Sequence, residues 1–306
     1  MGRYDGWITD VKGVQVGHWT DTQAQTGCTV VMFENGAVGG IEVRGAAPGT
    51  RETDLLRGYH CVDKINAIML SGGSAFGLAA ADGAMRFLDE QKIGFQSEQY
   101  HIPIVPAAVL FDLSVGNGSV RPDAKAGYEA CLYASDTMTK EGRVGVGTGA
   151  TIGKMYGMQH SSPGGIGTAS IWLTRDVVVS ALVAVNAVGN IIDPRSGRCV
   201  AGCRVPNPNP VGGMEAVPGS NTTIGIVATN AALTREECNR MAEMGQDGLV
   251  LAIRPVHTPY DGDTIFGAAT CDVEIPKERL ADLFVVATEV MARAVLNAIW
   301  AVQGEQ

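Results

Sequence analysis

A threonine hydroxyl becomes a nucleophile only when a base takes its proton, and the stretch Pro218 to Thr234, PGSNTTIGIVATNAALT, offers one way to supply that base. Val217-Pro218-Gly219-Ser220-Asn221 is turn chemistry, whereas Thr222 to Thr229 is small, β-branched and apolar. A buried strand is therefore predicted to begin at a hydroxyl residue. If the peptide bond before Thr222 were cut, the freed α-amine, with an ordinary pKa of about 8, would serve as base for its own hydroxyl. Such a nucleophile also needs groups to hold the amine and donors for a tetrahedral oxyanion.

Polar residues that interrupt apolar strands are the candidates, because burying them is unfavourable unless they are paired. Asn186 lies within Ala181-Leu182-Val183-Ala184-Val185-Asn186-Ala187-Val188, and Lys154 closes the glycine run Gly142 to Gly153. Asp261 and Asp263 stand two apart in Val256-His257-Thr258-Pro259-Tyr260-Asp261-Gly262-Asp263-Thr264, beside a turn. By residue type alone all four read first as structural hydrogen-bonders, the aspartates as bonding their own turn.

Three further signals are weaker. Ser71-Gly72-Gly73-Ser74 joins a predicted strand to a predicted helix and reads either as an anion or oxyanion site or as close packing. The run around Gly145, Gly147 and Ala150 fits a loose dinucleotide pattern, but no amphipathic helix follows it, and Met155 stands where a P-loop needs Ser or Thr. Cys199 and Cys203 lack the second pair that a zinc site requires.

The elements that must position these residues follow from periodicity. Short strands and turns are predicted from Trp7 to Glu42, and a strand at Asn66 to Leu70 runs through the glycine turn into a helix carrying Phe76 to Leu88. A helix from Asp123 to about Thr139 and an antiparallel hairpin, Ile166 to Leu173 with Val177 to Val188, come next. Pro194 to Pro218, with Asn207-Pro208-Asn209-Pro210 in its middle, reads as a long surface loop leading to Thr222. Thr234-Arg235-Glu236-Glu237 fits a capping box, so a helix to about Met244 is expected, then a strand at Leu249 to Ile253. Leu280 to Ala298 traces one face of a terminal helix. Antiparallel strands mixed with helices, with no repeat or dividing linker, indicate a single domain over 1–306.

The ordered motifs TDVKGVQVGHWTD, RGAAPGTRETDLL, LSGGSAFGLAAADG, GVGTGATIGK, ALVAVNAVGNIID, NTTIGIVATNAALT and PVHTPYDGDTIF span nearly the whole chain. Together they resemble the DmpA-type L-aminopeptidase/D-esterase family, peptidase family S58, which includes β-aminopeptidases and a nylon-oligomer hydrolase. The resemblance implies an α+β fold, a four-layer αββα sandwich of N-terminal-nucleophile type. It implies self-processing between Asn221 and Thr222 into pieces 1–221 and 222–306, and assembly as a homotetramer. Ser220 is a rival because some relatives cut at Gly-Ser. In relatives, however, the nucleophile stands seven residues before the threonine of the VAT motif, and that count back from Thr229 selects Thr222. The same resemblance makes Asn186 an oxyanion-hole amide and Lys154 a cation near the hydroxyl, with Asp261 and Asp263 orienting the amine. The implied activity is hydrolysis of small peptide, β-peptide or other linear amides through an acyl-enzyme, with no metal or organic cofactor. The rival readings are an acyltransferase of the ornithine acetyltransferase type and a non-catalytic nucleotide-binding protein. Phe111 replaces a tyrosine of several relatives, so any hydroxyl contribution to the oxyanion is missing. The aminopeptidase branch has a glutamate near Val109 that helps bind the substrate's amine, and the apolar residue here points to a broader amide or ester hydrolase.

Composition bounds the rest. Apolar residues at 45% and charged ones at 18% describe a globular chain and exclude disorder. The formal charge, 23 basic against 32 acidic residues or −9, comes with no basic run, which disfavours nucleic acid and anionic membrane as partners. No apolar leader or apolar run of about 18 residues is read, so a cytoplasmic protein is expected. Seven dispersed cysteines are then expected as buried, reduced thiols.

Overall fold

The computed structural model describes residues 3–205 and 221–304. Residues 206–220, which include much of the predicted loop Pro194 to Pro218 and all of the predicted turn Val217 to Asn221 except Asn221, lie outside the described residues, Ser220 among them.

Eight strands carry the architecture: β1 (Val14–Asp21), β2 (Thr26–Val43), β3 (Lys64–Ser71), β4 (Ala107–Val109), β5 (Gly165–Trp172), β6 (Val178–Asn186), β7 (Thr222–Ala231) and β8 (Thr264–Val273). With the two-residue strand Thr50–Arg51 they form a nine-stranded hydrogen-bonded sheet whose path of eight strands runs β5-β6-β7-β8-β2-β3-β4-(50–51), with β1 off the path and paired to β2. Among the described residues four helices pack on it: α1 (Ala80–Glu90), α2 (Ala124–Leu132), α3 (Arg235–Ala252) and α4 (Leu280–Gly304).

Three apolar cores separate four layers, as the side-chain alternation of the strands dictates. On β7, Val227 and Ala231 join a core with α3 and α4, whereas Ile224, Ile226 and Ala228 face a second core between the two sheet layers. On β2, Val31 and Phe33 face that same middle core, while Cys28, Val30 and Met32 face a third core against α1 and α2. The 18-residue β2 serves both layers. Its register against β3 shifts between Met32 and Ala37, and beyond that shift Val38 to Val43 pair with β8. The αββα sandwich therefore has two sheet layers joined through one long strand.

Several elements depart from the sequence reading. The apolar run Leu249 to Ile253 belongs mostly to α3: Cys238, Met241, Ala242, Gly245, Gly248, Leu249 and Ala252 keep a helical burial rhythm, and only Ile253–Arg254 forms a strand. Short apolar runs are ambiguous between helix and strand, and the preceding capped helix decides here. Thr234 accepts from the Glu237 amide and Glu237 from the Thr234 amide, completing the capping box. The helix capped by Asp123 ends at Leu132, well short of Thr139. Two neighbouring pairs, β7 with β8 and β3 with β4, are parallel, so the strands are not antiparallel throughout. Helices α3 and α1 lie between the members of each pair in sequence and supply the connecting length that parallel pairing needs. Cys199–Ala201, inside the predicted surface loop, pairs with Ile191 and Ile192. Of the cysteines only Cys28, Cys131 and Cys238 are buried, while Cys61 and Cys199 are exposed. The reading of no membrane-length apolar segment also needs correction. Lys277–Gly304 is long and apolar enough by composition, but 61% of its apolar window is buried inside the fold.

Helix α3 lies directly on the sheet at one point, where the cross-strand partners Gly40 and Gly267 meet its first turn. A Cβ on Gly267 would lie 2.2 Å from the Cys238 carbonyl oxygen, and one on Gly40 would lie 2.4 Å from the Asn239 amide. We expect Gly267→Ala to destabilise the protein by about 1–3 kcal/mol, the scale of overpacking against a rigid neighbour, read as a lower urea midpoint.

Candidate active site

Strand β6 ends at Asn186 and β7 begins at Thr222, and the antiparallel register sets these two residues opposite each other. Asn186 shares its strand face with Leu182 and Ala184, and Thr222 shares its own with Ile224 and Ile226, so both point toward the space between the sheet layers. Both are buried; Thr222 is 3% exposed.

The peptide link ahead of Thr222 is held on two sides. The Thr222 hydroxyl donates to the Asn221 carbonyl oxygen at 2.5 Å, and the Gly262 amide donates to the same oxygen at 3.0 Å. Asn221 also forms a parallel bridge with Asp261. Its own side-chain amide is fully buried, and neither polar atom has a hydrogen-bond partner among the described residues.

Parallel pairing of β8 with β7, Thr264 opposite Ile224, brings the loop before β8 to the same strand end. Asp263 Oδ1 accepts the Thr223 amide at 2.6 Å. Asp263 Oδ2 accepts the His257 amide at 3.3 Å and faces His257 Nδ1 at 2.8 Å. Asp261 Oδ2 accepts the amide and the hydroxyl of Thr258, at 2.7 and 2.6 Å. The aspartates thus bond their own turn and also lie against the start of β7, so the two readings of these residues coexist.

Lys154 arrives from the other side. The amides of Gly153 and Lys154 donate to the carbonyls of Gly189 and Val188, tying the glycine run to the chain just beyond β6. Lys154 Nζ then donates to both the backbone oxygen and the side-chain Oδ1 of Asn186, each at 2.9 Å. Asn186 Oδ1 also accepts the Thr151 amide at 3.0 Å, and its Nδ2 donates to the Phe111 carbonyl at 3.2 Å. Position 111 therefore contributes a backbone acceptor whichever side chain it carries. Val109 is buried on β4 and bonds through its amide to Gly49.

Burial dominates the electrostatics. Loss of water lowers Lys154 from its ordinary 10.5 to about 7, although the fields of Asp261 and Asp263 oppose the shift. Asp261 is raised to about 6, first by desolvation and then by the neighbouring Asp263 charge, against the pull of the Thr258 hydrogen bonds and Lys154. The site holds an amine and a carboxyl that both exchange protons near neutral pH, the range suited to acid–base work.

All five residues singled out from the sequence converge: Thr222, Asn186 and Lys154 directly, Asp261 and Asp263 through the loop beneath Asn221 and Thr223. His257, Thr258, Thr151 and the Gly262 amide were not foreseen as neighbours. Three are ordinary polar groups in turn-rich sequence and the fourth is main chain, so spacing carries no signal for them. The glycine turn Gly72-Gly73 is spent internally: the Gly73 amide donates to buried Asp112 and the Ser74 amide to Leu110. The Gly145 and Val146 amides donate to Thr20 and Thr29, which leaves them unavailable to a nucleotide phosphate. Among the described residues no group of three His, Cys, Asp or Glu could hold a metal ion.

The profile of peptidase family S58 matches residues 6–305. An uncharacterized aminopeptidase of Mycobacterium leprae (strain TN) is 42% identical over 330 residues, covering 97% of this chain and 90% of that protein. The 6-aminohexanoate-oligomer endohydrolase of Kocuria sp. (strain KY2) is 32% identical over 319 residues, covering 94% of this chain and 84% of its own. Among solved structures, the L-aminopeptidase D-Ala-esterase/amidase from Ochrobactrum anthropi, described as a variant of the Ntn hydrolase fold, matches with a TM-score of 0.76. Its identity is 17%, over 98% of this chain and 87% of that one. The four layers are thus those of an N-terminal-nucleophile-like fold.

Between the folded value of Lys154 near 7 and its ordinary 10.5, the unfolded chain binds a proton that the folded chain does not. Stability must therefore rise with pH through that window. We expect the urea midpoint of the wild type to climb from pH 7 to pH 10 relative to that of Lys154→Met; parallel profiles would contradict the buried, proton-poor amine.

Proposed function

Because this chain belongs to peptidase family S58 and is a hydrolase of amide bonds, we propose that it processes itself before Thr222 and then uses that residue as an N-terminal nucleophile. The observation carrying the reading is the Thr222 hydroxyl seated against the carbonyl of its own preceding peptide bond, with the Gly262 amide on the same oxygen.

In the processing step Thr222 Oγ attacks the Asn221 carbonyl carbon. Charge develops on the carbonyl oxygen, where the Gly262 N–H already donates and can stabilise it. The Oγ–C bond forms, the C–N bond breaks, and the hydroxyl proton passes to the departing nitrogen. Water then cleaves the ester, leaving an Asn221 carboxylate and a free Thr222 amine. Before that amine exists a candidate for carrying protons is Lys154, whose value near 7 suits it to give and take them.

In turnover the freed α-amine takes the Thr222 Oγ proton, Oγ attacks the substrate carbonyl, and the leaving amine departs with a proton. Water resolves the acyl-ester. Asn186, fixed by Lys154, Thr151 and Phe111, is the side-chain amide proposed for the oxyanion, and Asp261 and Asp263 orient the new amine. The substrates proposed are small peptides and other linear amides, the class to which a 6-aminohexanoate oligomer belongs. An apolar residue at 109 disfavours a strict requirement for a free substrate amine. A homotetramer of processed protomers in the cytoplasm completes the proposal, resting on the family resemblance and composition alone.

Intact mass of purified wild type should give two pieces, 1–221 and 222–306. Thr222→Ala should give one uncut chain whose amidase activity is lower by on the order of 10³-fold or more, and Thr222→Ser should still cut. A fully active, uncut wild-type chain would refute the reading.

A further inference from the structure

We propose that His257 is a positioning residue for Thr222, acting through Asp263; this rests on the reading that Thr222 is the nucleophile. Asp263 is 1% exposed and divides its two oxygens between two tasks. Oδ1 accepts the amide of Thr223, the residue bonded directly to Thr222. Oδ2 is held by His257 twice, through the backbone amide and through Nδ1. A carboxylate only accepts, so Nδ1 carries a proton and donates it. The opposite ring edge, Nε2, lies 3.4 Å from the Gln246 carbonyl oxygen of α3, so the imidazole is fixed between a helix and the carboxylate.

The backbone supports the same reading. His257 has φ of 57°, in the left-handed region that few non-glycine residues adopt. That conformation turns the amide and the ring of one residue onto a single oxygen. A carboxylate gripped at one oxygen cannot rotate about its last torsion, so its other oxygen stays in line with the Thr223 amide. Removing the ring leaves only the longer backbone-amide bond, 3.3 Å, on that oxygen, so the torsion loosens and the strand end bearing the nucleophile loses its firmer reference. Displacement of a reacting group by fractions of an ångström to 1 Å is enough to slow chemistry severely.

The test exploits the left-handed backbone. His257→Gly adopts this φ freely and keeps the backbone amide while deleting the ring. His257→Asn also tolerates it and places a side-chain N–H near the position of Nδ1. Self-cleavage would be followed on denaturing gels after a pulse of cell-free synthesis, with urea midpoints measured in parallel. The wild type should separate into its two pieces, His257→Gly should cut about tenfold or more slowly, and His257→Asn should recover to within about threefold of wild type. A role limited to stability would lower the midpoint of His257→Gly without a rescue of cutting rate by His257→Asn. The proposal fails if His257→Gly cuts at the wild-type rate, or if the asparagine is no better than the glycine. An uncut wild type would instead remove the premise about Thr222, and the proposal with it.

Discussion

The pairing of β6 with β7, Asn186 opposite Thr222, is the constraint on which the site depends. Side chains alternate across a sheet, so a slip of one residue would turn Thr222 toward α3 and α4 and carry Thr223 into its place. The slip is opposed along the whole strand, because Ile224, Ile226 and Ala228 would leave the middle core together. Apolar packing between the sheet layers thus fixes the direction of one hydroxyl at the strand's end. Neither neighbour of β7 leaves an open edge at which the register could drift, since β8 closes the other side in parallel.

A second constraint is electrostatic. A lysine and two aspartates have left water within one small region, and each desolvated charge is unfavourable alone. Lys154 compensates with two bonds to Asn186, and the aspartates with donors from Thr258, His257 and Thr223. Compensation is incomplete, which is why the amine falls and the Asp261 carboxyl rises toward neutrality. A fully solvated set of the same groups would be frozen in one protonation state at pH 7.

Much of this was legible in the sequence where a residue contradicted its surroundings. Asn186 in an apolar strand and Lys154 after a glycine run stood out because burial forces such groups to find partners. The hairpin of β5 and β6 and the capped start of α3 were legible because local signals agree with the final fold. The rest depended on contacts remote in sequence. Leu249 to Ala252 looked like strand because four apolar residues fit either period, and only the continuing face of α3 makes them helical. Parallel pairing of β7 and β8 is a property of the crossover, invisible to either strand. His257 lies in a turn-rich segment where a polar residue is unremarkable, and its value comes from the loop folding back on itself. Residue chemistry offers a threonine at a loop-to-strand junction that a cut could activate, whereas the position proposed for that cut, Asn221–Thr222, rests on family motifs.

The strand order has one more consequence. Reading across the sheet, β5 and β6 come from before residue 221, β7 and β8 from after it, and β2, β3 and β4 from before it again. A backbone opened ahead of β7 would therefore leave the shorter fragment threaded between two blocks of the longer one, zipped to β6 on one flank and β2 on the other. Helix α4 adds a clamp, lying across β5 and β6 from the far side of the nick. Two such polypeptides have no interface along which to peel apart, so a nicked particle would keep the cohesion of an intact one and separate only by melting as a whole.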